Sequence, residues 1–226
     1  MNGVHDMGGL QGFGPLAAES ETQTLHDDHL FDHDWERDVL TMTLAMGATG
    51  TWNLDESRSV RESLPPAQYL SIGYYRVWLQ SLERLLLNHQ LITAAEQASG
   101  KSMTKAAPVK RVLLAKDVST VLRKGAPVNR AVDSLPAFAL GEQVRVRNLH
   151  SSTHTRLPAY IRNHTGIVHK IHGAHIYPDA HALGQGEQPQ WLYNIRFSAT
   201  ELWGEQETRR GDVHVDCWEP YLCTQS

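Results

Sequence analysis

The sequence predicts an α+β protein: an extended N-terminal arm, a mainly helical N-terminal half and a small β-barrel in the C-terminal half. Two observations carry that expectation. Apolar residues recur every three to four positions between residues 34 and 124, then every second position from Val144 onward. Between them lies "GAPVNRAVDSLPAFALGE", a stretch of turn-forming residues that places the domain boundary near 126–138. At 226 residues and 41% hydrophobic composition, the chain is long enough for two small domains with cores of their own. The expected partition is an arm over 1–32, a helical domain over 33–130 and a barrel domain over 131–226.

Residues 1–32 are Gly-rich, then acidic. Met7, Leu10, Phe13 and Leu16 give this segment more apolar anchors than a solvated tail carries, so it is expected to dock as an arm on a partner. Asp34 is suited to cap a helix whose apolar positions are Trp35, Val39, Met42 and Met46. Asp55 is suited to cap a short helix bearing Arg58 and Arg61, which Pro65 and Pro66 end. Pro66 also fits the first turn of the next helix, where its missing N–H has no intrahelical acceptor anyway. That helix is expected over about 66–89, with Tyr74, Trp78, Leu82 and Leu85 along one side and Tyr75, Leu79 and Leu86 beside them. A stripe so wide is core or interface. Thr93 and Glu96 form a capping box for a further short helix that Gly100 stops. Val109, Val112, Leu113, Val121 and Leu122 mark a last helix, ending at Gly125.

The strand pattern follows. Val144 and Val146 alternate with Arg145 and Arg147, and then come "AYIRN", "GIVHKI", "WLYNIRF" and "VHVDCWEPYL". Five short strands rich in aromatic and β-branched residues suggest a small closed barrel.

Charge and cysteine content narrow the function. A formal net charge of −4 gives no global case for nucleic-acid or acidic-membrane binding. The basic run from Lys101 to Arg130 reads as a solvated helix face. Cys217 and Cys223 do not form a disulfide framework, which fits a reducing compartment. With neither a signal-peptide pattern at the start nor a long apolar run, the expected location is the cytoplasm, without membrane insertion.

Residues 152–181, "STHTRLPAYIRNHTGIVHKIHGAHIYPDAH", hold six histidines and two arginines. The spacing of His150 and His154, or of His169, His172 and His175, could serve a metal if the rings shared one face. On a strand, however, residues three apart point to opposite faces, so the second set needs a turn at Gly173 to converge. Ordinary exposed or core-satisfied histidines are the alternative. Arg156, in a loop entering a strand, is either a surface charge or a planar five-donor fork suited to an oxyanion.

Seven strings occur in the order found in the beta subunit of nitrile hydratase, which the chain resembles from residue 1 to about 223: "MNGVHDMGGLQGFGP", "WNLDESR", "PPAQYLSIGYYRVWL", "HTRLPAYIRNHTGIV", "HGAHIYPDAHALGQGEQPQWLYNIRF", "ELWG" and "VDCWEPYL". The resemblance implies an SH3-like barrel and an obligate partner, the alpha subunit, in an αβ or α2β2 assembly that hydrates small nitriles to amides as a hydro-lyase. It also implies a non-haem iron(III) or cobalt(III) bound by that partner through a cysteine cluster, two of whose cysteines are oxidised to sulfinate and sulfenate. By motif, the two arginines that hydrogen-bond those oxygens fall on Arg58 and Arg156. Leu54, Tyr74 and Trp78 match pocket positions, which core packing would explain equally well. Glu56 is expected to hold the Arg58 loop and His154 to orient Arg156. Ser57 stands where some members have a bulkier apolar residue, which widens the expected pocket. A thiocyanate hydrolase-like subunit and an assembly factor or metallochaperone for the alpha subunit are the competing readings.

Overall fold

The computed structural model describes residues 2–10, 31–205 and 211–224. Most of the expected arm, including Phe13 and Leu16, lies outside the described residues. The chain divides into two compact units, Gly3–Lys124 and Gly125–Ser226, with the first two residues joining the latter.

The helical unit contains α1 (Asp34–Ala48), α2 (Leu54–Glu62), α3 (Pro66–Ser71), α4 (Tyr74–Asn88), α5 (Ala94–Ser99) and α6 (Val118–Lys124). Two helix starts differ from expectation. Asp34 is the first helical residue of α1 rather than its cap; the Glu36 carboxylate reaches back to accept the Asp32 and His33 amides at 2.7 and 3.3 Å. Asn53, not Asp55, caps α2.

The expected helix over 66–89 is two helices. Gly73, at φ 79°, breaks it and starts α4, a left-handed conformation that glycine adopts without a Cβ clash. The apolar period runs across the break unchanged, which is why the sequence hides it. Thr93 and Glu96 do form the capping box of α5, and Gly100 ends it at φ 64°. The last helix is shorter than expected, with only a 3-10 turn at Ala115–Asp117 ahead of α6. Pro108 and the β-branched Val109 and Val112 weaken helix propensity upstream, and Val112 and Leu114 are exposed, so no buried face compensates.

Trp52, Leu82 and Leu85 form the buried centre of this unit, with Met46, Val60, Leu86 and Leu91 packed around them. Each fully buried leucine contributes about 1.5–3 kcal/mol. This core joins α1, α2 and α4, and it leaves the first turn of α4 outside.

The second unit is an antiparallel sheet built from β1 (Asn129–Arg130), β2 (Gln143–Val146), β3 (Thr165–His175), β4 (Gln190–Ser198), β5 (Asp212–Trp218) and β6 (Leu222–Thr224). Two short helices accompany it, α7 (Pro178–His181) and α8 (Ala199–Trp203). The strand order is β5-β4-β3-β2-β6, with β1 pairing on β3. The closed barrel expected from the alternation is not formed by hydrogen bonds among the described residues: β5 and β6 are opposite edges of the path. Pro220 interrupts what reads as one strand, and the 3-10 turn Glu219–Tyr221 carries the chain from one edge to the other. "AYIRN" is likewise no strand. Ala159–Ile161 is a 3-10 turn, and Asn163, at φ 67°, redirects the chain into β3.

Val144, Val146, Leu157, Ile161, Val168, Tyr193, Ile195, Phe197, Cys217, Tyr221 and Leu222 are fully buried in the sheet core. At Gly166 a side chain would not fit, since a Cβ there would sit 2.5 Å from Ile195 Cγ2 and 2.9 Å from the Arg196 carbonyl. No helix among the described residues is long and apolar enough to cross a membrane.

Glu96 does more than complete its capping box. Its carboxylate accepts the Met103 amide at 2.8 Å, the Thr93 amide at 2.9 Å and the Thr104 amide at 3.0 Å, which lowers its pKa to about 2. Because the folded value lies below the unfolded one, these bonds hold the 101–104 loop fully above about pH 4.5 and are lost as the pH falls through about 2. NMR of the Met103 and Thr104 amides should show a shared titration with a midpoint near 2. A midpoint in the ordinary glutamate range would contradict the arrangement.

Candidate functional site

In the helical unit the candidate residues lie on α2 and α4. α2 is anchored at its start because the Asn53 side-chain oxygen accepts the Glu56 amide at 2.8 Å, satisfying a first-turn donor that has no partner within the helix. Arg58 lies one turn in, its Nη1 3.6 Å from Oδ1 of the mostly buried Asp55. Such a partly exposed pair adds only about 0–1 kcal/mol, so its effect is orientation more than stability.

Glu56 bears on the Arg58 segment through His89 rather than through Arg58 itself. Residues two apart lie on opposite sides of a helix, whereas residues three apart share a face, so Asp55 is the carboxylate beside Arg58. Glu56 instead meets His89, just past α4, with Oε1 2.7 Å from Nε2. The His89 ring lies 5.6 Å from that of Trp52, so this polar pair borders the helical core.

The first turn of α4 carries an aromatic group. Tyr74 is 67% exposed and Leu54 52%, so neither is a core residue. The Tyr74 ring lies 5.2 Å from Tyr75 and 5.6 Å from Trp78, and Tyr75 lies 5.4 Å from Phe31. Trp78 is half-buried and carries the Arg61 guanidinium 4.7 Å over its ring. Arg61 also donates to the carbonyl and hydroxyl of Ser57 at 3.2 and 3.4 Å. Ser57 is therefore buried against Arg61. Burial, followed by the nearby charge of Arg58, pulls the Arg61 pKa down; a guanidinium nonetheless stays protonated.

In the sheet unit, Arg156 sits in a loop between β2 and β3 that is fixed from two sides. Its amide donates to the Tyr221 hydroxyl at 3.1 Å, and the Thr155 hydroxyl donates to the same oxygen at 3.2 Å. Tyr221 in turn donates to Asp179 Oδ2, and Tyr177 donates to Asp179 Oδ1 at 3.2 Å. On the other side the buried Arg162 donates to the Leu157 carbonyl at 3.1 Å and lies 3.1 Å from His150 Nδ1. Asn2 adds bonds to Arg162 and to the Ser151 carbonyl. His154, Thr155 and Leu157 are all buried, so Arg156 emerges from a well-packed segment.

The histidine-rich stretch is dispersed. His172 pairs with Asp216 at 3.0 Å, His164 with Glu201 at 3.2 Å, and His169 packs edge-on against His214. Among the described residues, no three His, Cys, Asp or Glu side chains come together where they could hold a metal ion. Cys217 is buried, and burial pushes its thiol pKa up, with Asp216 adding to the effect. It is thus a neutral core thiol, whereas a metal ligand must be a thiolate. The described residues therefore do not fit a metal held by this chain alone.

Sequence reasoning missed Asp55, Arg61, His89, Arg162, Tyr177, Asp179 and Tyr221. The last three lie inside "HIYPD" and "CWEPYL", whose density of tyrosine and carboxylate was the available signal.

Taken together, the two units define a two-part α+β subunit that presents one candidate arginine from each part on an anchored element. Models described as nitrile hydratase beta subunit, N-terminal and C-terminal, match residues 1–121 and 127–224. The chain belongs to the nitrile hydratase beta subunit family. The low-molecular weight cobalt-containing nitrile hydratase subunit beta of Rhodococcus rhodochrous is 39% identical over 229 residues, covering 98% of this chain and 99% of that one. The cobalt-containing nitrile hydratase subunit beta of Pseudonocardia thermophila is 35% identical over 233 residues, covering 98% and 96%. Thiocyanate hydrolase subunit alpha of Thiobacillus thioparus matches only 68 residues at 31% identity, 30% of this chain and 54% of that one.

Replacing the α2 cap, Asn53→Ala, should cost about 1 kcal/mol. Denaturant unfolding followed by helix signal checks this; an unchanged midpoint would show that α2 does not depend on that bond.

Proposed function

We propose that this chain is the beta subunit of a nitrile hydratase, active only in an αβ or α2β2 complex with an alpha subunit. The observation that carries the reading is the full-length match to nitrile hydratase beta subunits, which spans both halves of the chain. The much shorter match to thiocyanate hydrolase makes that alternative the weaker one.

In this reading the partner holds cobalt(III) or iron(III) through cysteines oxidised to sulfinate and sulfenate. Lewis acidity that polarises the nitrile C≡N bond toward water comes from that metal when bound. Oxidised cysteine oxygens are anionic acceptors, costly to bury without partners. Arg58 and Arg156 satisfy them with charge-assisted bonds of about 1.5–3 kcal/mol each. Neither arginine transfers a proton, since both stay protonated. Leu54, Tyr74 and Trp78 form an apolar wall of the nitrile pocket, with the exposed Tyr74 hydroxyl as its polar handle. His154 helps to shape the Arg156 loop. The rest of the reading is a division into arm, helical domain and sheet domain: an arm over 1–32 that wraps the partner, an SH3-like strand arrangement left open at one seam, and a cytoplasmic location.

The test is co-expression with the alpha subunit in medium containing cobalt or iron, followed by metal analysis and amide formation. The parental complex should hydrate small nitriles. Arg58→Lys and Arg156→Lys should each lose roughly 10- to 100-fold in rate, because lysine lacks the bidentate fork, while the two chains still associate. A fully active Arg156→Lys complex would reduce that residue to a surface charge. Failure of the chains to form a lasting complex would favour the assembly-factor reading.

A further inference from the structure

The structure assigns to Tyr221 and Asp179 the role of positioning Arg156, an inference that rests on the reading of Arg156 as an oxyanion donor. "HTRLP", "HIYPD" and "CWEPYL" are separate segments of the chain, and one largely shielded hydrogen-bond chain centred on the buried Tyr221 joins them. The Tyr221 ring is 1% exposed. Its hydroxyl accepts from the Arg156 amide at 3.1 Å and from the Thr155 hydroxyl at 3.2 Å, and it donates to Asp179 Oδ2. A phenol offers one donor and two acceptor lone pairs, so this oxygen is fully used. The other Asp179 oxygen accepts from Tyr177 at 3.2 Å, and the two tyrosine rings pack 5.8 Å apart.

The chain has a direction. The Asp179 carboxylate can only accept, so it orients both phenols as donors toward itself. The lone pairs of Tyr221 then face the Arg156 loop and take its amide. Burial, with Asp179 next in effect, raises the pKa of the Tyr221 hydroxyl, which keeps it a neutral donor. Thr155 Oγ1 also accepts the Leu157 amide at 3.4 Å. Three consecutive residues around Arg156 are thus tied to one oxygen or to its immediate partner. Arg162, fixing the Leu157 carbonyl from the other side at 3.1 Å, keeps the segment from swinging. Arg156 leaves this segment with its backbone set, and its side chain inherits that direction. Tyr221 and Asp179 are positioning residues; neither need touch substrate.

Phenylalanine keeps the ring and removes three bonds, one buried and two partly buried, that the Tyr221 hydroxyl makes to the Arg156 amide, the Thr155 hydroxyl and one Asp179 oxygen. The experiment compares Tyr221→Phe, Asp179→Asn and Arg156→Ala with the parent, each as the co-expressed complex. Amide hydrogen exchange is read over 153–157 and over the 143–146 strand, alongside kcat and KM for a small nitrile. Tyr221→Phe should speed exchange over 153–157 at least about tenfold while leaving 143–146 unchanged. It should also lower kcat about tenfold, with KM moving less than about threefold, because the donor to the oxidised cysteines is misaligned while the residues that contact the nitrile are untouched. Asp179→Asn keeps the shape and should act in the same direction, and it carries the test if Tyr221→Phe fails to assemble.

Unchanged exchange over 153–157 in both variants would overturn the proposal. So would faster exchange with full kcat while Arg156→Ala is inactive, since the loop would then be held for a purpose other than Arg156. If Arg156→Ala itself kept full activity, the oxyanion reading would fail instead, and the exchange data would still decide whether Tyr221 and Asp179 hold the loop.

Discussion

A hydroxyl buried in a protein core must find partners for its proton and its lone pairs, and the sheet unit is organised around two that do. Tyr221 bridges Asp179 to the Arg156 loop, and Tyr193 donates to Glu219, which also accepts the Ala137 amide at 3.0 Å. Both phenols have pKa values raised chiefly by burial, so both act as neutral donors to an acceptor-only carboxylate. Losing either partner leaves a buried polar group at a cost of about 1–3 kcal/mol. That asymmetry couples the 3-10 turn at Glu219–Tyr221 to segments far away in sequence, which the β-ladder alone would not tie down.

The helical unit solves a similar problem with different chemistry. α2 has nine residues, too short to be stable on propensity alone. Three kinds of contact hold it: the Asn53 cap, the Glu56–His89 pair at its start, and the His5–Glu62 pair, 3.5 Å apart, at its end. Arg58 lies between these anchors. The first turn of α4, by contrast, exposes Tyr74 at a point where the Leu82 and Leu85 core no longer reaches. An exposed aromatic group packed on Trp78, whose ring carries Arg61, is an arrangement suited to contact with another surface more than to internal packing.

Legibility in the sequence followed the range of the interaction. The α5 capping box involves Thr93 and Glu96 alone and could be read directly, as could the change of period that separates the helical unit from the sheet unit. Arg58 was singled out only through a string shared with a family, and Arg156 by its loop position and then by such a string, because an isolated arginine has no distinguishing pattern. The break at Gly73 was masked because the apolar spacing continues through it. "AYIRN" passed for a strand because its composition is strand-like, and only the turn at Asn163 shows otherwise. The Asp179–Tyr221–Arg156 chain was invisible for a different reason: its three members meet only when the sheet is folded. The partner through which Glu56 anchors α2, His89, lies 33 residues further on and has no signal in the local sequence.

The central claim is that this chain completes a partner's metal centre with guanidinium groups held on anchored backbone. The most direct measurement is a crystal structure of the co-purified complex with the alpha subunit, refined without restraints on the contacts in question. The account predicts guanidinium nitrogens of Arg58 and Arg156 about 2.7–2.9 Å from oxygens on oxidised cysteines of the partner, with the Arg156 amide still on Tyr221. Both side chains pointing into solvent, or a metal ion bound by residues of this chain alone, would contradict it.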